Sequence, residues 1–138
     1  MKRILFLALL ATFSVGFVRA KPQPYRVAFD LTSRDTLEQK AVLRWLNEVG
    51  TSSPDAKMEV VMYGKGFELV MPERSAFIPQ VKEAMKNPNV SFRVCAIALR
   101  NNNVTASQLL PGAEVVPDAI HELVMKQQDG WGYIKVMH

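Results

Sequence analysis

Segments that favour strands alternate with segments that favour helices along residues 25–136, and this alternation constrains the fold more than any other feature. Runs rich in β-branched and aromatic residues predict strands at 25–31, 58–63, 90–94, 113–116 and 131–136. Apolar residues at helical spacing predict helices at 35–50 (ending at Gly50), 75–85, 95–100, 105–109 and 117–127, and leave 67–71 ambiguous. Strands and helices that alternate in this way form an α/β fold with a mostly parallel sheet and helices on both faces.

The chain starts with a segment that has the layout of a secretory signal peptide. Lys2 and Arg3 precede an apolar run at 4–18, and Val18 and Ala20 stand three positions and one position before a cleavage point. A membrane anchor is the alternative, but the run is shorter than the ~20 apolar residues that a spanning helix needs. We therefore predict a signal peptide at 1–20, one domain at 21–138, a periplasmic or secreted location, and no membrane association after cleavage.

Removal of residues 1–20 changes the charge of the chain. The full sequence has 17 basic and 13 acidic residues, and the predicted signal peptide holds three of the basic residues and none of the acidic ones. The mature chain therefore has 14 basic and 13 acidic residues, a net charge of +1. Nucleic-acid binding requires a concentrated basic face, so we predict no nucleic-acid partner.

The chain has one cysteine, Cys95, and can form no internal disulfide. Cys95 falls between the strand predicted at 90–94 and the helix that follows it, where backbone N–H groups are unpaired and carry partial positive charge. Such groups stabilise a thiolate, which is the nucleophilic form of cysteine. Cys95 is therefore the candidate catalytic residue. The alternative is a structural cysteine, because free cysteines often pack as small apolar side chains.

Other constellations are weaker. His121 lies on a predicted helix, and a Cys95–His121 pair is an alternative that no neighbouring residue supports. Asp30 and Asp35 follow the first predicted strand; capping of a helix is the common role for Asp35. The glycines at 64–66 predict a tight turn and lack the spacing of a phosphate-binding loop. No cysteine or histidine pair has metal-ligand spacing, so we predict neither a metal nor another cofactor.

Three stretches resemble the DsrE/DsrF-like family: VVMYG at 60–64, VSFRVCAIALR at 90–100, and the closing segment from LPGAEVVP at 110–117 to GWGYIK at 130–135. The likeness spans most of residues 25–136. It implies a three-layer α/β/α domain around a five-stranded parallel sheet, assembled into homo-oligomers, commonly trimers or hexamers. In the sulfur-relay members that the chain resembles, the cysteine at the position of Cys95 carries a persulfide and passes sulfur to a partner protein.

Two functions of different classes follow. The first is a cysteine-persulfide sulfur carrier, or a sulfurtransferase-like relay, that acts outside the cytoplasm with a sulfur donor or acceptor protein as its partner. The second is a non-enzymatic oligomeric binding or assembly module in which Cys95 is structural. A third, a redox sensor that forms an intermolecular disulfide through Cys95, is weaker. The residues leave open whether the protein is an enzyme.

Overall fold

The computed structural model of the chain describes residue 22 and residues 24–137. Five parallel strands form one sheet in the order β4-β3-β2-β1-β5. The strands are β1 (Arg26–Leu31), β2 (Lys57–Met62), β3 (Val90–Cys95), β4 (Ala113–Val116) and β5 (Gly132–Lys135). The predicted α/β fold with a five-stranded parallel sheet is confirmed. The predicted signal peptide at 1–20 lies outside the described residues.

Four α-helices connect the strands: α1 (Thr36–Ser52), α2 (Ile78–Ala84), α3 (Ala96–Asn101) and α4 (Ala119–Gln128). The two long helices begin at aspartate caps. The Asp35 carboxylate accepts the N–H of Leu37 at 2.7 Å, and the Asp118 carboxylate accepts the N–H of Ile120 at 2.8 Å. Within the described part of the chain, no helix is both long and apolar enough to cross a membrane.

The helices cover both faces of the sheet. A Cβ on Gly50 of α1 would lie 3.6 Å from the side chain of Met58 on β2. The next residue of that strand, Glu59, contacts Lys126 of α4 at 2.8 Å. Because successive strand residues point to opposite faces, α1 and α4 lie on opposite sides of the sheet. Helix α2 packs beside α1.

The hydrophobic core lies between the sheet and the helices that cover its two faces. The central strands β1 and β2 are buried along nearly their whole length, as expected for parallel strands covered on both faces. Phe29 of β1 stacks on Trp45 of α1 with ring centroids 6.1 Å apart. Two acidic residues, Asp30 and Glu59, are buried among these apolar residues, and both lie on the face that α4 covers.

Several element boundaries differ from the prediction by one to three residues, and two of these differences have a clear local cause. Helix α1 continues past Gly50 to Ser52, because the N–H of Ser53 still donates to the carbonyl of Val49. Helix α2 begins at Ile78 rather than at residue 75, since the residues before it form a turn in which the Ser75 hydroxyl accepts the N–H of Phe77.

The ambiguous segment at 67–71 is largely a 3₁₀ helix (Gly66–Val70), and a second 3₁₀ helix (Ala106–Gln108) lies within the helix predicted at 105–109. A Cβ on Gly66 would lie only 2.1 Å from the carbonyl oxygen of Leu31. Glycine at position 66 therefore allows the loop after β2 to cross closely over the end of β1. The 3₁₀ helix that starts there is buried.

Candidate functional site

Cys95 lies at the junction of β3 and α3, where the sequence predicts it: it is the last residue of β3 and the N-cap of α3, and it is 4% exposed. Its Sγ atom accepts the backbone N–H of Ala119, the first residue of α4, at 3.4 Å. The ten-residue helix α4 therefore supplies the amide that contacts the sulfur, whereas the prediction assigned that role to the helix that follows Cys95. An amide at a helix start favours negative charge on the sulfur.

The sheet register explains why α4 begins at this point. Cys95 pairs with Val116, the last residue of the edge strand β4. Pro117 and Asp118 then turn the chain into α4, which returns across the sheet towards β5. The first turn of α4 consequently meets the end of β3, although 24 residues separate Ala119 from Cys95.

A small pocket of about 210 Å³ opens beside the thiol. Its walls come from the loop after β2, from α3 and from the first turn of α4. Gly64 shapes the loop: its φ is +57°, and a Cβ there would lie 2.8 Å from the carbonyl oxygen of Thr32. The lining residues are Tyr63, Gly64, Cys95, Ile97, Ala98, Asn101, Asn102, Asp118, Ala119 and Ile120.

Next to this pocket, the buried carboxylate of Asp30 gathers three donors. The Tyr63 and Tyr133 hydroxyls donate to Oδ2 at 3.2 Å and 2.5 Å. The Lys135 ammonium donates to Oδ1 at 3.0 Å and to the Thr32 hydroxyl at 2.9 Å. Both oxygens of Asp30 therefore have donors, and Tyr63 links this cluster to the wall of the thiol pocket.

The cluster holds both phenols in the neutral, donating form. Burial raises the pKa of Tyr63, and the charge and hydrogen bond of Asp30 raise it further, with a smaller contribution from Cys95. The hydrogen bond to Asp30 raises the pKa of Tyr133 to about 12, assisted by burial and by the Asp30 charge. Neither tyrosine can act as a base near neutral pH.

The sequence model of the DsrE/DsrF-like family matches residues 27–136. The chain belongs to this family. It is similar to the structure of a protein of unknown function, MTH1491, from Methanobacterium thermoautotrophicum, with 26% identity, a TM-score of 0.76, and coverage of 80% of this chain and 98% of that chain. It also shares its fold with the ychN protein from E. coli, with 13% identity, a TM-score of 0.65, and coverage of 82% and 99%. No curated protein matches the chain.

The remaining predicted residues of this DsrE/DsrF-like protein are separated in the structure. Asp35 caps α1, the role expected for it, while Asp30 is buried in its own cluster. His121 is exposed on α4, and the contact to the sulfur comes from the Ala119 amide. Among the described residues, no group of three or more histidine, cysteine, aspartate or glutamate side chains could hold a metal ion.

Sequence reasoning missed the partners of the buried acids. An acidic residue inside an apolar, centrally placed strand signals a buried charge that must be paired, and both Asp30 and Glu59 gave that signal. The partners themselves carried no signal, because Tyr133 and Lys135 lie more than 100 residues after Asp30. Glu59 is paired in the same way with Lys126, 67 residues later along the chain.

A larger groove of about 520 Å³ lies between α1 and α2, on the face opposite α4. Two of its charged residues are engaged in surface ion pairs, Arg44 with Glu48 and Glu83 with Lys86. Cys95 is not among its lining residues. The groove is the larger of the two cavities, but the thiol lies in the smaller one, at the end of β3.

Proposed function

We propose that this protein carries sulfane sulfur on Cys95 as a persulfide, as a sulfur carrier or sulfurtransferase-like relay. One observation supports this above the others: the thiol at the end of β3 meets the first amide of a ten-residue helix and borders a pocket. Membership of the DsrE/DsrF-like family adds support, since the chain resembles sulfur-relay members around Cys95.

The chemistry needs no second cysteine in the chain. The Cys95 thiolate attacks the outer sulfur of a hydropersulfide, R–S–SH, and forms a new S–S bond. The S–S bond of the donor breaks, and R–S⁻ leaves with its electron pair. The Ala119 amide at 3.4 Å stabilises the attacking anion and the persulfide anion that replaces it. A partner thiolate later removes the outer sulfur by the same exchange and restores the Cys95 thiolate.

The pocket lining indicates which donors fit. Among the lining residues that the structure describes there is no lysine, arginine or histidine, and the carboxylate is that of Asp118. Ile97 and Ile120 are exposed at the pocket, which makes its entrance apolar. Uncharged or cationic donors therefore suit the pocket better than sulfur oxyanions, which require a positive partner.

The test is sulfur loading of the mature, folded protein by cysteine hydropersulfide, whose ammonium and carboxylate groups cancel, followed by intact mass measurement. We expect one added sulfur atom on the wild type, its removal by a mild thiol, and none on Cys95→Ser. Iodoacetamide labelling of folded and denatured wild type at one pH is the companion measurement. A wild type that gains no sulfur, with a thiol that is labelled only after denaturation, would contradict the carrier function.

That contrary result would favour the second function, a non-enzymatic binding or assembly module. The specific observation in its favour is the burial of Cys95 at 4% exposure. Exposed apolar residues near the pocket, Ile120 and Val124 one turn apart on α4 and Ile97 on α3, are suited to a protein interface.

These exposed residues also support a homo-oligomer, and we propose a trimer or hexamer under either function. Light scattering of the mature chain measures its mass directly. Val124→Glu places a charge in the apolar patch and should dissociate the assembly, whereas Glu48→Gln on α1 should leave it intact. A monomeric wild type would contradict the oligomer.

We further propose that the protein acts outside the cytoplasm. The proposal depends on the signal-peptide pattern at 1–20. Cell fractionation and the N-terminal sequence of the purified protein test it; a cytoplasmic protein that retains Met1 would overturn it.

A further inference from the structure

The second buried acid, Glu59, lies between the sheet and α4 and is 1% exposed. Three donors converge on one of its oxygens, Oε2. The Lys126 ammonium is 2.8 Å away, the Ser91 hydroxyl 3.2 Å and the Arg93 guanidinium 3.5 Å. This oxygen is therefore well compensated.

The other oxygen, Oε1 of Glu59, is buried and, among the residues that the structure describes, receives no hydrogen bond from a donor. The carboxyl group of Glu122, in the first turn of α4, shares the Lys126 ammonium with Glu59. Two ionised carboxylates have only acceptors and repel each other. A single proton on Glu122 turns this pair of acceptors into a donor and an acceptor, so that Glu122 can donate a hydrogen bond to Glu59.

The cations around Glu59 and Glu122 do not balance all of the carboxylates there. Lys126 reaches Glu59 at 2.8 Å and Glu122 at 3.6 Å from the same helix. Arg93 on β3 contacts Glu59 and also pairs with the exposed Glu114 of β4. Three carboxylates thus face two cations, and the uncompensated negative charge falls on the buried Glu59 and the partly buried Glu122.

The remaining charged groups nearby are engaged elsewhere or point away. On β1, Ala28 is the residue beside Glu59, and the Arg26 guanidinium on that strand donates to the carbonyl of Asp129 at the end of α4. His121 is exposed on α4. Burial raises the pKa of Glu122, the hydrogen bond and charge of Glu59 raise it further, and Lys126 and Arg93 act in the opposite direction.

We propose that Glu59 and Glu122 bind one proton between them and that this proton fastens the first turn of α4 to the sheet. The same turn starts with Ala119, whose amide contacts the Cys95 sulfur. Loss of the proton therefore loosens the contact between α4 and the thiol. This second step rests on the proposed sulfur-carrier function, whereas the proton site itself does not.

The direction of the pH dependence follows from the raised pKa. The folded state binds the proton more tightly than the unfolded chain, whose glutamates titrate near ~4.3. The stabilisation is complete below that value and is lost as the pH rises through the pKa of Glu122 in the folded protein. Glu122→Gln supplies a permanent amide donor in place of the proton, so the variant does not lose this stabilisation as the pH rises.

The experiment is denaturant unfolding of the wild type, Glu122→Gln and Glu83→Gln from about pH 4 to about pH 8, a range that begins below the unfolded-state value. Glu83 is an exposed acid on α2 and controls for the loss of one charge. We expect the logarithm of the unfolding constant to rise with pH more steeply in the wild type than in Glu122→Gln, by up to about one per pH unit for one proton. Glu83→Gln should follow the wild type.

If the logarithm of the unfolding constant rises equally steeply with pH in the wild type and in Glu122→Gln, the proton site is overturned. If Glu122→Gln folds poorly, Glu59→Gln serves instead, since it removes the carboxylate pair from the other side. Iodoacetamide labelling of Cys95 over the same pH range tests the second step, and the ratio of wild-type to Glu122→Gln rates should change across it. If the unfolding slopes differ but the ratio of labelling rates stays constant with pH, only the coupling to the thiol is overturned. Failure of the sulfur-loading test would leave the unfolding slopes unaffected.

Discussion

Two buried carboxylates on one face of the sheet, those of Asp30 and Glu59, have their negative charge compensated by different sets of donors. Asp30 receives two phenolic hydroxyls and an ammonium group, so both of its oxygens have donors. Glu59 receives all of its donors on one oxygen and shares its lysine with a second acid, Glu122, while its other oxygen has no donor among the described residues.

The difference shows what each site can do. The raised pKa values of Tyr63 and Tyr133 keep both phenols neutral and donating to Asp30 over the physiological pH range, so the cluster holds Tyr63 as a rigid wall of the Cys95 pocket. The Glu59 site lacks a donor and can change its state by binding a proton. A buried acid is thus structural when its donors are complete and responsive when one is missing.

The largest expected effect comes from removing the compensated acid. Asp30→Ala leaves two buried hydroxyls and a lysine without their acceptor, and we expect it to destabilise the protein by about 3 kcal/mol. Denaturant unfolding measures the change. Asp55→Ala, at an exposed position, is the control and should have little effect. A loss below about 1 kcal/mol for Asp30→Ala would mean that the cluster is not a rigid wall.

Removal of the cation should distinguish the two acids directly. Lys126→Met leaves Glu59 with the more distant Arg93, and we expect a loss of about 2 kcal/mol at neutral pH. Lys135→Met leaves Asp30 with two tyrosine donors, and we expect about 1 kcal/mol.

The measurement is again denaturant unfolding of the two lysine variants beside Lys82→Met, an exposed lysine on α2. Reversal of the order, with Lys135→Met the more damaging, would refute the contrast between complete and incomplete compensation.

Removal of single hydroxyl groups measures how much each tyrosine donor to Asp30 contributes to stability. Tyr133→Phe removes the shorter bond, 2.5 Å, and Tyr63→Phe the longer one, 3.2 Å. Each should cost about 1 kcal/mol, with Tyr133→Phe the larger. Thermal unfolding of both variants measures this, and Tyr25→Phe, on an exposed tyrosine, provides the baseline. Two values indistinguishable from that baseline would show that the hydroxyls contribute nothing to the cluster.

The smallest expected effect concerns a third acid, Asp118, which lines the thiol pocket. Methanethiosulfonates carrying an ammonium or a sulfonate group form a mixed disulfide with Cys95 and release methanesulfinate. After correction for their rates with the denatured chain, the cationic reagent should react about fivefold faster with the folded wild type, equivalent to ~1 kcal/mol.

Asp118→Asn should narrow this ratio and still cap α4, because asparagine caps helices as well as aspartate does. A faster reaction of the anionic reagent in the wild type would contradict the selection against oxyanion donors.

The pattern of apolar residues alone determined that the chain alternates strands and helices, and it placed Cys95 between the third strand and the helix that follows it. Side-chain periodicity and turn residues are local properties, which explains why all five strands were located within one or two residues. The end of α1 predicted at Gly50 was two residues too early, because a glycine signals a helix end only when the chain actually turns there.

Only the tertiary structure decided which helix contacts the sulfur and which groups surround the buried acids. Strand order brings the start of α4 to Cys95 and places β5 beside β1, where Lys135 and Tyr133 reach Asp30. It also lays Glu122 and Lys126 over Glu59. These contacts join residues that are distant along the chain, and charge compensation in a buried site depends on distances that only packing sets.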